Sequence, residues 1–437
     1  MKTNGSVTLP EKFLTTFARE ILTLLKKAES VCCMFTCGGG KRTVYKYFLS
    51  QVDVIKQVFG NLYNKTIFVY VDPDEVLNVS SEAYLRLILD NLIPKMTDKK
   101  IKVISDSLIK NPLILIKKNL ENLVAEDWHI VIVLNDFEFT FSLPPSIYLN
   151  LESIISIDKS KISYLVLSTI NLVDESILRK LSNLRYVISQ NIRYFPLLAE
   201  KDTDYLINYF GKKINFNVSK ELSQILYKTC GGYLQLLKYS LNVLHNNGQQ
   251  NLKERKKLES YLLNNDQIKI VCLNIWNNFN EKERDAITAI VTTGNFVASQ
   301  KEEVNYFLKL GLVKKSADKK YCVFGTLFEE FVKSKLPKHK LIYNASTKKL
   351  HYGGQSCEDK FSYQEFKLLV YFVNHENELV TRDQVAEAIW GKLYPDKYSD
   401  WSIDKTISIL RKKLDHLGFP SKHLVTLKKR GFSFSNP

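Results

Sequence analysis

Apolar positions along the chain change period several times, and the changes mark its elements. From Leu9 to Glu29, Phe13, Phe17, Ile21, Leu24 and Leu25 keep to one face, which predicts an amphipathic helix with Lys26 and Lys27 near its C-terminal end. Val31 to Thr36 is then a continuous apolar run of strand length, repeated at Thr66 to Asp72, Trp128 to Leu134 and Ile162 to Thr169, with a helical run at Val44 to Val52 and further helical segments between. Strands apolar throughout and alternating with helices predict an α/β parallel sheet. Past Asn191 the period is helical at Asp202 to Phe210, Ser219 to Thr229 and Cys230 to about His245. Asn246 to Asn265 is polar, with Lys253, Arg255, Lys256 and Lys257, and is expected as a linker or an exposed helix. Helices at Asn280 to Val291 and Glu302 to Leu310 precede a hairpin of Leu312 to Lys315 with Lys320 to Phe324, closed by Phe328 to Ser334. Pro337 starts a last unit: short strands from Leu341 to Leu350, a Gly353-Gly354 turn, and helices opened by Ser362-Tyr-Gln-Glu365 and Thr381-Arg-Asp-Gln384. In its final stretch Ile403, Ile407, Leu410 and Leu414 stack on one helix face while Lys405, Ser408 and Lys412 project from the other. Gly418 and Pro420 end that helix, and the runs His423 to Leu427 and Phe432 to Phe434 follow, joined by Lys428, Lys429, Arg430 and Gly431.

Two stretches carry chemistry. The first is Cys37-Gly38-Gly39-Gly40-Lys41-Arg42-Thr43, set between a strand and a helix. Glycines let backbone N–H groups approach a phosphate, a helix N-terminus adds positive potential, and a lysine bridges the outer phosphates. A plain glycine turn ahead of a helix is the simpler alternative. The loop resembles a P-loop, with Gly40 and Lys41 in place. Phe35 stands where the first glycine belongs, Arg42 where a Mg²⁺-binding hydroxyl belongs, and Thr43 one position late. Asn135-Asp136-Phe137-Glu138, closing its strand, resembles a Walker B segment with Asn135 at the first carboxylate position; Asp136 and Glu138 are then the catalytic candidates. Asn171 resembles the polar sensor of the neighbouring strand, or is a turn-capping Asn. Gly231, Gly232, Leu236 and Leu237 match the GG-x-P-x-L-L motif of the helical lid in STAND and archaeal-type ATPases, with Leu234 for its proline. The candidate nucleotide contacts are Gly38, Gly39, Gly40, Lys41, Arg42, Thr43 and Asn171.

The second stretch is Trp401 to Phe434, which resembles the recognition helix and wing of the OmpR-type winged-helix DNA-binding domain. The Phe-Ser-x-x-Glu-Phe landmark at Phe361 to Phe366 and Trp390-Gly391 extend the resemblance over roughly the last hundred residues. On the helical wheel Lys405, Ser408, Ile409 and Lys412 are aimed at bases, Arg411 and Lys413 at flanking phosphates, and Lys428, Lys429 and Arg430 form a wing tip that tracks the backbone or a minor groove. From Asp400 onward eight basic residues face three acidic ones. That local excess separates a binding face from a solvated helix surface.

Composition sharpens this only in part. The 437 residues exceed one compact core, and 45% hydrophobic with 25% charged residues is ordinary for a globular chain. A net charge of +16 favours a polyanionic partner, although a Lys-rich compositional bias would raise it too. Seven cysteines without a CxxC pair, no zinc-finger spacing, no signal peptide and no bilayer-length apolar run suit a cytoplasmic protein with no membrane partner and no structural metal. The expected fold class is an α/β P-loop parallel sheet with a helical lid, followed by two winged-helix domains. The boundaries are 1–195 for the ATPase-like domain, 196–265 for the lid and linker, 266–337 for a first winged-helix connector and 338–437 for the DNA-binding domain. The function this implies is a transcriptional regulator binding double-stranded DNA, gated by ATP or ADP or by a protein partner or self-association through the ATPase-like domain. Hydrolysis is expected to be slow or absent, because the Mg²⁺ ligands are incomplete. The rivals are an active AAA+ or origin-recognition-like ATPase acting on DNA, and a pseudo-ATPase scaffold.

Overall fold

A computed structural model describes residues 9–75, 78–105, 108–246, 255–316, 318–335, 340–345, 347–353, 355–391 and 399–436. Their contacts divide the chain into two compact units: Met1–Glu281 with Asn305–Lys314 and Phe324–Phe328, and Lys282–Val304 with Lys315–Val323 and Glu329–Pro437. The helices and strands of the expected first winged helix are shared out between them.

The first unit is built on five parallel strands: β1 (Val31–Met34), β2 (Thr66–Val71), β3 (His129–Leu134), β4 (Ile162–Ser168) and β5 (Ile192–Tyr194). Their order is β2-β3-β4-β1-β5. β1, β3 and β4 are buried along nearly their whole length, which explains why their sequences run apolar rather than alternating. β1 lies between β4 and β5, and the chain leaves its C-terminal end directly into the glycine loop. This is the edge of an open parallel sheet where ligands settle.

The first helix, Glu11–Leu25, buries Leu14, Phe17, Ala18, Ile21, Leu22 and Leu25. It stops short of Glu29 because Ala28 takes a left-handed backbone, φ 58°. The helical run after the loop is two helices, Lys41–Ser50 and Val52–Phe59. Farther on, Glu200–Lys213, Lys220–Cys230 and Leu234–Asn246 pack on one another. The expected polar linker is partly a packed helix: Arg255–Leu263 buries Leu258 and Leu262, four residues apart, against its neighbours. Two leucines among many charges carry too weak a period to stand out in sequence. Lys253 and Pro337 lie outside the described residues, as does Gly354.

In the second unit, strands Leu341–Asn344, Lys349–Tyr352 and Gln355–Ser356 form an antiparallel sheet. Three helices follow, Tyr363–Asn374, Arg382–Trp390 and Asp400–Leu417, each opened by a reciprocal capping box: Ser362 with Glu365, Thr381 with Gln384, Ser399 with Ser402. Leu424–Leu427 and Gly431–Phe434 make the closing hairpin, and Leu379–Val380 pairs with its second strand. Leu368, Leu369, Phe372, Ile403, Ile407, Leu410, Leu414 and Phe434 share one core. Replacing Ser399 by Ala should remove the cap of the longest of these helices and lower the stability of this unit by about 1 kcal/mol, readable by urea unfolding; no change would mean that the first turn is held by packing alone.

Candidate functional site

The glycine loop occupies the junction between β1 and the helix Lys41–Ser50. Gly38 (φ 71°) and Gly40 (φ 116°) adopt backbone that side chains resist, and a Cβ at Gly38 would collide with the Gln235 side chain. The amides of Thr43 and Val44 bond back to the Gly40 carbonyl at 2.9 and 3.0 Å. The N–H groups of Lys41 and Arg42, in the first helical turn, are left for another acceptor.

Lys41 reaches across to the end of β3. Its Nζ donates to Asp136 Oδ1 and, at 3.2 Å, to Glu138 Oε1. Glu138 Oε1 also accepts from the Thr169 hydroxyl at 2.6 Å and the Thr169 amide at 3.1 Å. Burial pushes Glu138 up, but the Lys41 charge and the Thr169 hydroxyl outweigh it and hold the carboxyl below its usual range. Asp136 goes the other way: burial raises it in spite of the Lys41 bond, with the Glu138 charge adding to the rise. Asn135 donates to Asp136 Oδ2 at 2.7 Å. Glu138 Oε2 and Asn135 Oδ1 are buried without a hydrogen-bond partner, a condition native interiors seldom leave unused.

A cavity of about 670 Å³ is lined by Gly38, Gly40, Lys41, Arg42, Thr43, Asp72, Asp74, Asn135, Asp136 and Thr169 on the sheet side, while Gly39 and Glu138 are not among its lining residues. The facing wall is helical: Tyr209, Phe210, Lys213 and Ile214, then Leu234, Gln235, Lys238 and Asn242. The volume suits a nucleotide-sized molecule. Four cations (Lys41, Arg42, Lys213, Lys238) and three carboxylates (Asp72, Asp74, Asp136) line it. The tight glycine cradle fits a phosphate group, whereas Arg42 puts a cation where a Mg²⁺ ligand would be needed. Among the described residues no three His, Cys, Asp or Glu side chains are grouped to hold a metal ion.

Two sequence expectations change here. Asn171 does not line the cavity: its Oδ1 accepts from the Val173 amide at 3.4 Å, in a turn. β4 ends at Ser168, so Thr169 is the residue at the strand end facing Glu138. Gln235, Lys238 and Asn242 escaped the sequence reading, although their spacing of three and four places them on one helix face just after the Gly231-Gly232 pair.

At the other end of the chain, the helix Asp400–Leu417 buries Ile403, Ile407, Leu410 and Leu414 and exposes Lys405, Ser408, Ile409 and Lys412. Lys428, Lys429 and Arg430 are exposed at the hairpin tip. Arg411 and Lys413 do not stand free for phosphates. The Arg411 guanidinium donates to the Leu424 carbonyl at 2.9 and 2.6 Å and to the Thr426 hydroxyl at 2.8 Å, fastening the hairpin to the helix. Lys413 Nζ donates to Glu365 at 2.6 Å, the carboxylate that closes the capping box of an earlier helix. Arg382 was not foreseen: it pairs with Asp400 at 3.2 Å and Asp404 at 2.8 Å and lies over the Phe432 ring. A helical wheel shows which side a residue is on, not the partner waiting there.

Comparison with known proteins bears on the two ends unequally. Residues 358–434 match the family described as transcriptional regulatory protein, C terminal. A curated relative, the uncharacterized transcriptional regulatory protein YvcP of Bacillus subtilis (strain 168), is 32% identical over 74 residues, 17% of this chain and 30% of the relative. Among solved structures, the Walker-type ATPase PABY2304 of Pyrococcus abyssi aligns with 74% of this chain and 95% of its own at 10% identity and a TM-score of 0.47. Cdc6p from Pyrobaculum aerophilum aligns with 75% and 95% at 14% identity and 0.38. The Klebsiella pneumoniae RstA DNA-binding domain, solved in complex with the RstA box, is 26% identical over 22% of this chain and 90% of its own, at 0.18. The first unit is a five-stranded parallel α/β sheet with a glycine loop after β1, and residues 358–434, which match the transcriptional regulatory protein C-terminal family, fold as a winged helix.

Proposed function

We propose that this chain is a cytoplasmic transcriptional regulator whose winged helix binds promoter DNA and whose ATPase-like unit binds ATP or ADP as the controlling signal. One observation carries the reading: a regulator-type DNA-binding domain shares its chain with a glycine loop whose lysine meets Asp136 and Glu138 beside a cavity of nucleotide size. Gly38 to Thr43, with Lys41 and Arg42, would hold the phosphates, and Lys213 and Lys238 would approach them from the helical wall. Hydrolysis is the weaker side of the site. Arg42 supplies no hydroxyl for Mg²⁺, and Asn135 no charge, so binding outlasts turnover. The DNA contacts are Lys405, Ser408, Ile409 and Lys412 toward the bases and Lys428, Lys429 and Arg430 toward phosphates. Self-association or a protein partner would act through the ATPase-like unit.

Titration calorimetry of the full chain with ATP and ADP, in Mg²⁺ and in EDTA, tests this. Binding that persists in EDTA and is lost in Lys41→Met is the expected result, and DNA affinity should differ between nucleotide-loaded and nucleotide-free protein. Mg²⁺-dependent turnover would instead favour an active ATPase. No binding at millimolar nucleotide, with DNA affinity indifferent to Lys41→Met, would favour a scaffold.

A further inference from the structure

Hydrogen-bond readout of an adenine uses the paired donor and acceptor of an Asn or Gln amide, and readout of a guanine an Arg or Lys. The helix Asp400–Leu417, DWSIDKTISILRKKLDHL, contains no Asn or Gln, and its one Arg is bound to the Leu424 carbonyl. The neighbouring Arg382 is held by Asp400 and Asp404. Thr406 and Ser402 spend their hydroxyl protons on the carbonyls of Ser402 and Ser399. What the exposed face keeps is Lys405, Ser408 and Lys412, with Ile409, 38% exposed, among them. Lys405 itself lies over the Trp401 ring, 4.8 Å from its centroid. The lysines suit guanine O6 and N7, and Ser408 discriminates poorly. The feature of an A·T pair that this face can still distinguish in the major groove is the thymine 5-methyl group, and Ile409 is the exposed branched aliphatic side chain on it.

We infer that Ile409 is a specificity-determining residue, reading the thymine 5-methyl at one position of the site this helix contacts. The inference rests on the winged helix binding DNA by this helix, as proposed above. It assigns a role to an isoleucine that would otherwise cost solvent exposure on a charged face, and it makes the preferred site one of G·C pairs read by lysines around an apolar T contact.

The test uses the full-length protein. A preferred duplex is selected from random-sequence DNA, and each thymine in turn is replaced by deoxyuridine, which lacks only the methyl. Affinity is measured by fluorescence anisotropy at fixed salt. At one thymine of each site contacted by this helix the replacement should weaken wild-type binding about fourfold, the factor expected for one buried methyl. Ile409→Ala should bind the thymine and uracil duplexes equally, whereas Ile409→Val, which keeps a branched apolar tip, should remain sensitive. Both variants should melt with the wild type, because the side chain is outside the core. Wild-type protein indifferent to uracil at every position, or Ile409→Ala as sensitive as wild type, overturns the inference while leaving DNA binding intact. If no sequence is enriched over random DNA, the DNA-binding reading itself falls, and the inference with it.

Discussion

Arg411→Ala should weaken DNA binding by about ten- to a hundredfold while leaving its salt dependence unchanged. The Arg411 guanidinium makes three hydrogen bonds to the hairpin, two of them to the Leu424 carbonyl, and burial holds its pKa below the usual arginine value. Removing it leaves that carbonyl short of a donor and loosens the hairpin, so that Lys428, Lys429 and Arg430 still reach the same phosphates but the hairpin must be ordered as they do. A charge-assisted bond contributes about 1.5–3 kcal/mol, enough for the loss expected. A phosphate contact behaves differently: each one lost lowers the slope of log K against log salt by about 0.9. Lys428→Ala, at the exposed tip, should show that drop with a smaller loss of affinity, and Arg411→Lys should resemble Arg411→Ala because a single ammonium cannot replace the fork. A salt slope reduced by about one in Arg411→Ala would return this residue to the DNA backbone and sink the role assigned to it.

The contrast between Arg411 and Lys405 shows what the sequence could disclose. Local periodicity was enough to place the buried stripe of Ile403, Ile407, Leu410 and Leu414, because burial on a helix repeats with the helix. Ser362 with Glu365 and Thr381 with Gln384 marked helix starts, since a capping box is contained within four residues. The β1 strand and its glycine loop were legible for the same reason. Partnerships across many residues were not. Nothing near Arg411 in sequence announces Leu424, nor does Lys413 point to Glu365, 48 positions earlier. Thr169 was passed over for Asn171 because the end of β4 is set by its pairing with β1, where Met34 lies opposite Ser168, the last strand residue. The helical wall of the cavity was missed because Gln235, Lys238 and Asn242 become a site only when their helix faces the glycine loop.

Lys41→Met should enlarge the stabilisation that the first unit gains on acidification from pH 7 to 5. In the wild type two carboxylates oppose one another. Glu138 has a lowered pKa, so its contribution is present above the unfolded value near 4.3 and is lost as pH falls through the folded value. Asp136 has a raised pKa, so it destabilises at neutral pH and is relieved as pH falls. Between pH 7 and 5 Glu138 stays ionised in both states and adds no slope, so the wild type shows only the gain that Asp136 brings. Methionine keeps the length of the side chain and removes the charge that holds both groups. Burial then dominates at Glu138 as it already does at Asp136, and both folded pKa values lie above the unfolded ones. The variant should lose about 2 kcal/mol at pH 7, less than the 3–5 typical of a broken buried pair because Asp136 is 36% exposed to the cavity. Much of that loss should be regained on acidification to pH 5, a larger gain than the wild type shows because two raised carboxylates contribute instead of one. Urea unfolding of the full chain at the two pH values, followed through the first unit's transition, measures both numbers. Parallel pH dependence in the two proteins would mean that Lys41 does not govern these carboxylates, and the glycine-loop lysine would be left without the counter-charges that a bound phosphate must displace.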